Sequence, residues 1–159
     1  MPHPILLVLL FSLAACSPQS NSGTASRTNS PAEADTAAAL AALDSADARF
    51  IAAYTEKNLE DIVGTSTDDI RYVLGGSIVE GKEAVRKAWK SAFPTLSGLK
   101  LTPVIRTVRG DLGVVLEKFS QRSKEPGKAE TTDSGYVLRV MRREADGRWR
   151  SQIVALNRP

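Results

Sequence analysis

Between Asp35 and about Lys57, the residues Leu40, Leu43, Asp47, Phe50, Ile51 and Tyr54 recur at spacings of three, four and seven. This pattern places them on one face of a long helix, and the alanines between them favour that conformation. Leu59 to Val63 predicts a second, short helix, closed by Gly64 and the polar Thr65-Ser66-Thr67. The period then changes to two. Ile70, Tyr72 and Leu74 form one strand, Gly75-Gly76 a tight turn, and Ser77 to Glu80 the returning arm of a hairpin. A third helical stretch begins at Gly81, with Val85, Ala88, Trp89, Ala92 and Phe93 sharing a face and Pro94 helping to end it.

The remainder predicts strands over 99–108, 113–123, 130–143 and 148–156, separated by Gly110-Asp111, Pro126-Gly127 and Asp146-Gly147. In the last strand Trp149, Ile153 and Ala155 should point inward, opposite Arg148, Arg150 and Gln152. Three helical segments followed by consecutive antiparallel strands are an α+β order, with helices covering one face of a curved sheet that can enclose a pocket. Residues 35–159 suit one domain with one core.

The chain begins differently. Met1 to Ala15 contain no Lys, Arg, Asp or Glu, and Ile5 to Ala15 are apolar except for Ser12. A bilayer core needs about 20 apolar residues in a helix, whereas a signal peptide needs only ~7–15. Residues 1–15 therefore read as a cleavable signal peptide. Its end, Leu13-Ala14-Ala15-Cys16, resembles the lipobox of bacterial lipoproteins. The resemblance implies lipidation of Cys16, whose thiol can take a diacylglycerol and whose freed amine can take a further acyl chain. Residues 17–34 lack large apolar side chains and are rich in Ser, Thr, Asn, Pro and Gly, so 16–34 forms the lipidated cysteine and a flexible linker with a reach of roughly 25 Å. Ser17 stands where an aspartate would favour inner-membrane retention. By that sorting rule the expected location is the outer membrane of the cell envelope, facing the periplasm.

Composition narrows the chemistry. Cys16 is the sole cysteine, so no intramolecular disulfide is available. His3 is the sole histidine and leaves with the signal, which removes a Ser-His-Asp triad, a histidine-containing zinc site and a histidine base. Gly75-Gly76 sits in a hairpin and lacks the strand, glycine fingerprint and helix arrangement of a phosphate-binding loop. No cofactor or metal is expected. The net charge is +3, and Arg139, Arg142, Arg143, Arg148, Arg150 and Arg158 gather late in the chain. They read as a solvated strand edge that discourages aggregation, and export argues against nucleic acid as a partner.

Four stretches carry a family resemblance: Ala46-Asp47-Ala48-Arg49-Phe50; Asn58-Leu59-Glu60-Asp61-Ile62-Val63; Gly81-Lys82-Glu83-Ala84-Val85-Arg86; and Asp146-Gly147-Arg148-Trp149. Their order and spacing resemble the nuclear-transport-factor-2-like superfamily, and within it the SnoaL-like bacterial proteins of unassigned function. The resemblance implies a cone-shaped α+β fold, a bent antiparallel sheet packed against N-terminal helices, with a pocket at the wide end and homodimerisation through the sheet. It implies no activity, because the superfamily holds isomerases, cyclases, dehydratases and non-catalytic binders.

In the ketosteroid-isomerase branch the oxyanion tyrosine would fall at Phe50 and the base near Val73 or Leu74, none of which can do that chemistry. Asp47 is the weak candidate for a substitute base, because burial on an apolar helix face would raise its pKa. A carboxylate at the margin of that stripe could equally hydrogen-bond a neighbouring strand. Tyr54 could present a hydroxyl to a ligand or sit in the core. With Phe50, Tyr72, Trp89 and Tyr136, these two residues are the pocket candidates. The expected function is small-ligand binding, the ligand hydrophobic or amphipathic. The alternatives are an isomerase-, cyclase- or dehydratase-type enzyme and a homo-oligomeric assembly module.

Overall fold

The computed structural model describes residues 31–158, with side chains described from residue 35. The signal peptide, Cys16 and most of the expected linker lie outside the described residues.

Helix α1 spans Pro31–Glu56, so helix already runs four residues before the predicted start. Proline is well suited to a first helical turn. The helix ends where Lys57 turns left-handed (φ 57°) and the Asn58 amide donates back to the Ala53 carbonyl at 2.9 Å, a closure that satisfies the last carbonyls. Asn58 then caps α2 (Leu59–Gly64), its side-chain oxygen accepting from the Asp61 amide at 3.1 Å. Strand β1 (Ser66–Leu74) starts within the polar segment expected to close that helix, and it turns through Gly75 and Gly76 into β2 (Ser77–Glu80). Both glycines have positive φ, 53° and 86°, as a two-residue hairpin turn of the strand-matching hand requires. Helix α3 (Lys82–Ala92) follows. The long strands β3 (Leu96–Arg109), β4 (Leu112–Ser123), β5 (Thr131–Arg143) and β6 (Trp149–Asn157) complete the chain.

The six strands form one unclosed sheet in the order β2-β1-β6-β5-β4-β3, with the helices packed on one face. This is the α+β architecture expected. One pairing departs from the antiparallel expectation: β1 runs parallel to β6, so the last strand sits between the first hairpin and the meander. The inward residues predicted for β6 also need correction. The β5–β6 register shifts between Val140 and Met141, leaving Gln152 as an extra residue. Such a bulge reverses the alternation. Trp149 and Ser151 point inward before it and Val154 after it, while Ile153 and Ala155 are only half-buried.

Three apolar groups fill the interior. Leu43, Ala46, Val115, Met141 and Trp149 pack α1 onto the sheet. Ala53, Tyr54, Ile62, Val63 and Phe93 join the three helices. Ile70, Tyr72, Val85, Phe119, Val137 and Val154 line the sheet beneath α3. Trp89 touches the last two groups, 6.0 Å from the ring of Tyr54 and 5.1 Å from that of Phe93. On the opposite face, Ile105, Leu116, Leu138, Ala155, Val73 and Ile78 are successive register partners and form an apolar row across all six strands.

Candidate functional site

A cavity of about 190 Å³ lies between α3 and the concave face of the sheet. Its walls are almost wholly apolar: Leu99 and Leu101 of β3, Phe119 of β4, Val137 of β5, Val154 and Leu156 of β6, with Phe50 and Trp89 from the helices. The strands supply these residues because each presents alternate positions inward. An apolar cavity of ~150 Å³ can hold benzene, so this half-open cavity has room for at least one substituted ring or a short branched chain.

Among the sequence candidates, Phe50, Tyr72 and Trp89 line the cavity. The Trp89 indole N–H donates to the Tyr72 hydroxyl at 3.4 Å, and burial pushes the Tyr72 phenol up from its ordinary value. Tyr136 does not belong there. It holds an outward position on β5, is 42% exposed and carries the Lys118 amine 5.9 Å from its ring centre. Strand alternation decides this, since Val137 and Arg139 take the inward positions beside it.

Tyr54 and Asp47 are buried but are not among the cavity-lining side chains. The Tyr54 hydroxyl donates to Gln121 Oε1 at 3.1 Å, and burial with the nearby Asp133 charge raises its pKa to about 12. Gln121 Nε2 in turn donates to Asp133 at 3.1 Å, and Asp133 is clasped by Arg158 at 2.8 and 3.0 Å. Asp47 is 6% exposed. One of its carboxylate oxygens accepts from Arg139 and the other from Arg106, so it is bonded to strands β5 and β3. Burial, with the neighbouring Glu117 charge adding to it and Arg139 opposing, raises its pKa to about 6.

These contacts belong to a buried ionic cluster that the sequence reading missed. Glu117 is fully buried and accepts from Arg106 at 3.0 Å and from Arg139 at 2.5 Å. Arg106 also reaches Asp44 at the surface. Arg139, expected on a solvated edge, is instead 4% exposed and lines the cavity. A signal existed. Glu117 occupies the same phase as Val115 and Phe119, and Arg139 the same phase as Val137 and Met141. Opposite charges at inward positions of neighbouring strands imply a buried pair.

The site thus offers apolar volume and a few hydrogen-bond donors, and among the described residues that line it no exposed nucleophile. Among the described residues, no group of three or more His, Cys, Asp or Glu side chains could hold a metal ion.

Residues 48–152 match the family model described as SnoaL-like domain. The chain belongs to that family. No curated protein matches it. Solved structures similar to this SnoaL-like chain include a ketosteroid isomerase-like protein from Erwinia carotovora atroseptica, 20% identical with a TM-score of 0.64, covering 76% of this chain and 97% of that one. A Mycobacterium tuberculosis protein of unknown function is 17% identical with a TM-score of 0.71, covering 82% and 76%. A candidate dehydratase of the NTF2-like family from Streptomyces avermitilis is 15% identical with a TM-score of 0.61, covering 74% and 93%. At these identities the likeness establishes the fold, and the site must speak for the chemistry.

Proposed function

We propose that this chain is an envelope lipoprotein whose SnoaL-like domain binds a small hydrophobic or amphipathic ligand. The observation that carries the reading is the apolar cavity between α3 and the sheet, walled by side chains from β3, β4, β5 and β6. Concave apolar sites with few polar groups are the usual form of a small-molecule site. Catalysis by Asp47 is disfavoured because both carboxylate oxygens are occupied by arginines, and Phe50 stands where the isomerase branch would need a tyrosine. The test is a thermal-shift screen of ring-sized apolar compounds against the wild type and Ala92→Trp, which places an indole at the cavity wall. Hits lost in the variant support the reading; a screen in which both proteins respond alike removes it.

The location rests on Leu13-Ala14-Ala15-Cys16, and the outer membrane on Ser17. Among the described residues no helix is long and apolar enough to cross a membrane. Acyl chains on Cys16 would anchor the protein, each buried methylene contributing about 0.8 kcal/mol. Mass spectrometry of the mature N-terminus decides this, and Cys16→Ser should leave the chain unacylated.

A second feature favours assembly. The apolar row on the outer face includes Ile105 at 52% and Leu138 at 40% exposure, which supports a homodimer formed through the sheet.

A further inference from the structure

Two residues mark the mouth of the cavity. Of its lining side chains only Ala88 of α3 and Arg158, just past the end of β6, are exposed, while Val85, Phe119 and Val137 lie buried further in. Arg158 is therefore the charged group that an entering molecule meets. Its guanidinium carbon lies 5.9 Å from the centre of the Phe119 ring, itself part of the wall. Asp133 clasps Nε and Nη2 at 2.8 and 3.0 Å, and Nη1 has no partner among the described residues.

A chain of hydrogen bonds from the interior holds this arrangement. Buried Tyr54 donates to buried Gln121, and Gln121 donates to Asp133. The chain runs from α1 through β4 and β5 to Arg158, and it fixes one orientation of a long, flexible side chain. A guanidinium oriented in advance loses less freedom when it binds an anion.

Charge at this end favours an anion. Lys57 donates to the carbonyl of Leu96, a wall residue, and Lys124 follows Ser123, which pairs with Leu96. Neither lysine has a carboxylate partner among the described residues. Asp133 balances Arg158, Glu130 stands 3.9 Å from Arg122, and Glu125 pairs with Lys128. Glu56, beside Lys57 in the sequence, lines a separate cleft with Arg49 and Arg148. The two lysines thus leave the rim with a positive surplus. An anionic head at an exposed mouth keeps part of its hydration, so it avoids most of the cost of burying a charge, while its apolar body leaves water for the cavity. The adjacent Asp133 opposes a doubly charged head, whereas a single carboxylate matches the planar donors that remain on Arg158.

On the reading that this cavity binds a ligand, we propose that its ligand is a small organic acid, one ring or a short branched chain in size, with its apolar body against Leu99, Phe119 and Val137 and its carboxylate on Arg158 at the mouth.

The test titrates the full chain in phosphatidylcholine nanodiscs at neutral pH with para-isopropylbenzoate and its neutral isostere para-isopropylbenzamide. Ala92→Trp, with the cavity filled, measures partition into lipid. The wild type should bind the carboxylate about tenfold more tightly than the amide, and added salt should weaken the carboxylate alone. Arg158→Gln should weaken the carboxylate about tenfold, the size of one hydrogen bond to a charged group, and leave the amide unchanged. Equal binding of the two probes by the wild type, or an affinity for the carboxylate that ignores salt, overturns the acid assignment without reference to any variant. An Arg158→Gln protein that is folded by circular dichroism and binds both probes more weakly to the same extent, or both as before, overturns the role of Arg158. In each of these cases the cavity stands as a binding site. If neither probe binds the wild type above the Ala92→Trp background, the ligand-binding reading itself fails.

Discussion

Glu117 of β4 and Arg139 of β5 bond at 2.5 Å across neighbouring strands, in the interior of the sheet's concave face. They are diagonal neighbours, since Glu117 pairs in register with Val137 and Arg139 with Val115, a separation that long side chains bridge easily. Both charges are buried, so removing Glu117 leaves Arg106 and Arg139 with Asp47 as their one remaining buried carboxylate among the described residues. Glu117→Leu should lower unfolding free energy by about 3 kcal/mol or more, measured by urea denaturation. A loss under about 1 kcal/mol would mean that Asp47 alone satisfies Arg139.

The pH dependence of stability carries opposing contributions. Asp47 titrates in the folded state at about 6, against an ordinary value of 3.8. The folded protein therefore holds this proton more tightly between about pH 4 and 6. Its contribution to stability is full below about 4, declines as pH rises to about 6 and is constant above. Asp69, hydrogen-bonded by Gln152, Thr67 and Arg142, and Asp146, hydrogen-bonded by Arg150, are held below the ordinary range. They act in the reverse sense, with stability present above about pH 4 and lost as pH falls. Comparing wild type with Asp47→Asn isolates the first effect. The wild type minus variant difference should fall by on the order of 2–3 kcal/mol from pH 4 to pH 6.5. A difference that is flat across that window would show that Asp47 ionises normally.

Much of this architecture was legible because local pattern and tertiary role agree. The apolar spacing of α1 places Leu43 and Tyr54 in the core, and the Gly75-Gly76 hairpin forms where the glycines allow positive φ. What was hidden came from long-range contact. The sequence cannot disclose that β6 inserts beside β1, or that a bulge at Gln152 turns Val154 inward instead of Ile153. Asp47 was recognisable as a carboxylate on an apolar face, but the arginines that neutralise it lie 59 and 92 residues away. Tyr136 was misplaced because aromatic size says nothing about which side of a strand it faces, and its neighbours Val137 and Arg139 settle that question.

Gly135 should tolerate no side chain. A methyl group placed on it would run into the backbone carbonyl of Asn157 and close on the Phe119 ring at 3.2 Å. Backbone cannot rotate away as a flexible side chain can. Gly135→Ala should therefore separate the end of β6 from β5 and cost about 3 kcal/mol, at or above the upper end of the usual overpacking range. Faster hydrogen exchange at Val137 and Leu156, which pair there, would accompany the loss. A variant as stable as wild type would mean that β6 ends before Asn157 in solution.

The outer face of the sheet makes the last prediction. Ile105, Leu116 and Leu138 are register neighbours on β3, β4 and β5, and Val114, Val140 and Ile153 form a second apolar row beside them. A half-exposed apolar surface of this extent is stabilised by a matching surface, and two copies related by a twofold axis present the same rows to each other. Leu138→Glu would put two carboxylates into such an interface while leaving the concave face and its cavity untouched. Multi-angle light scattering should show a dimer for the wild type and a shift of at least tenfold toward monomer for the variant, with ring-sized ligands bound as before. A wild type that stays monomeric at high concentration would exclude the dimer and leave the apolar rows without that partner.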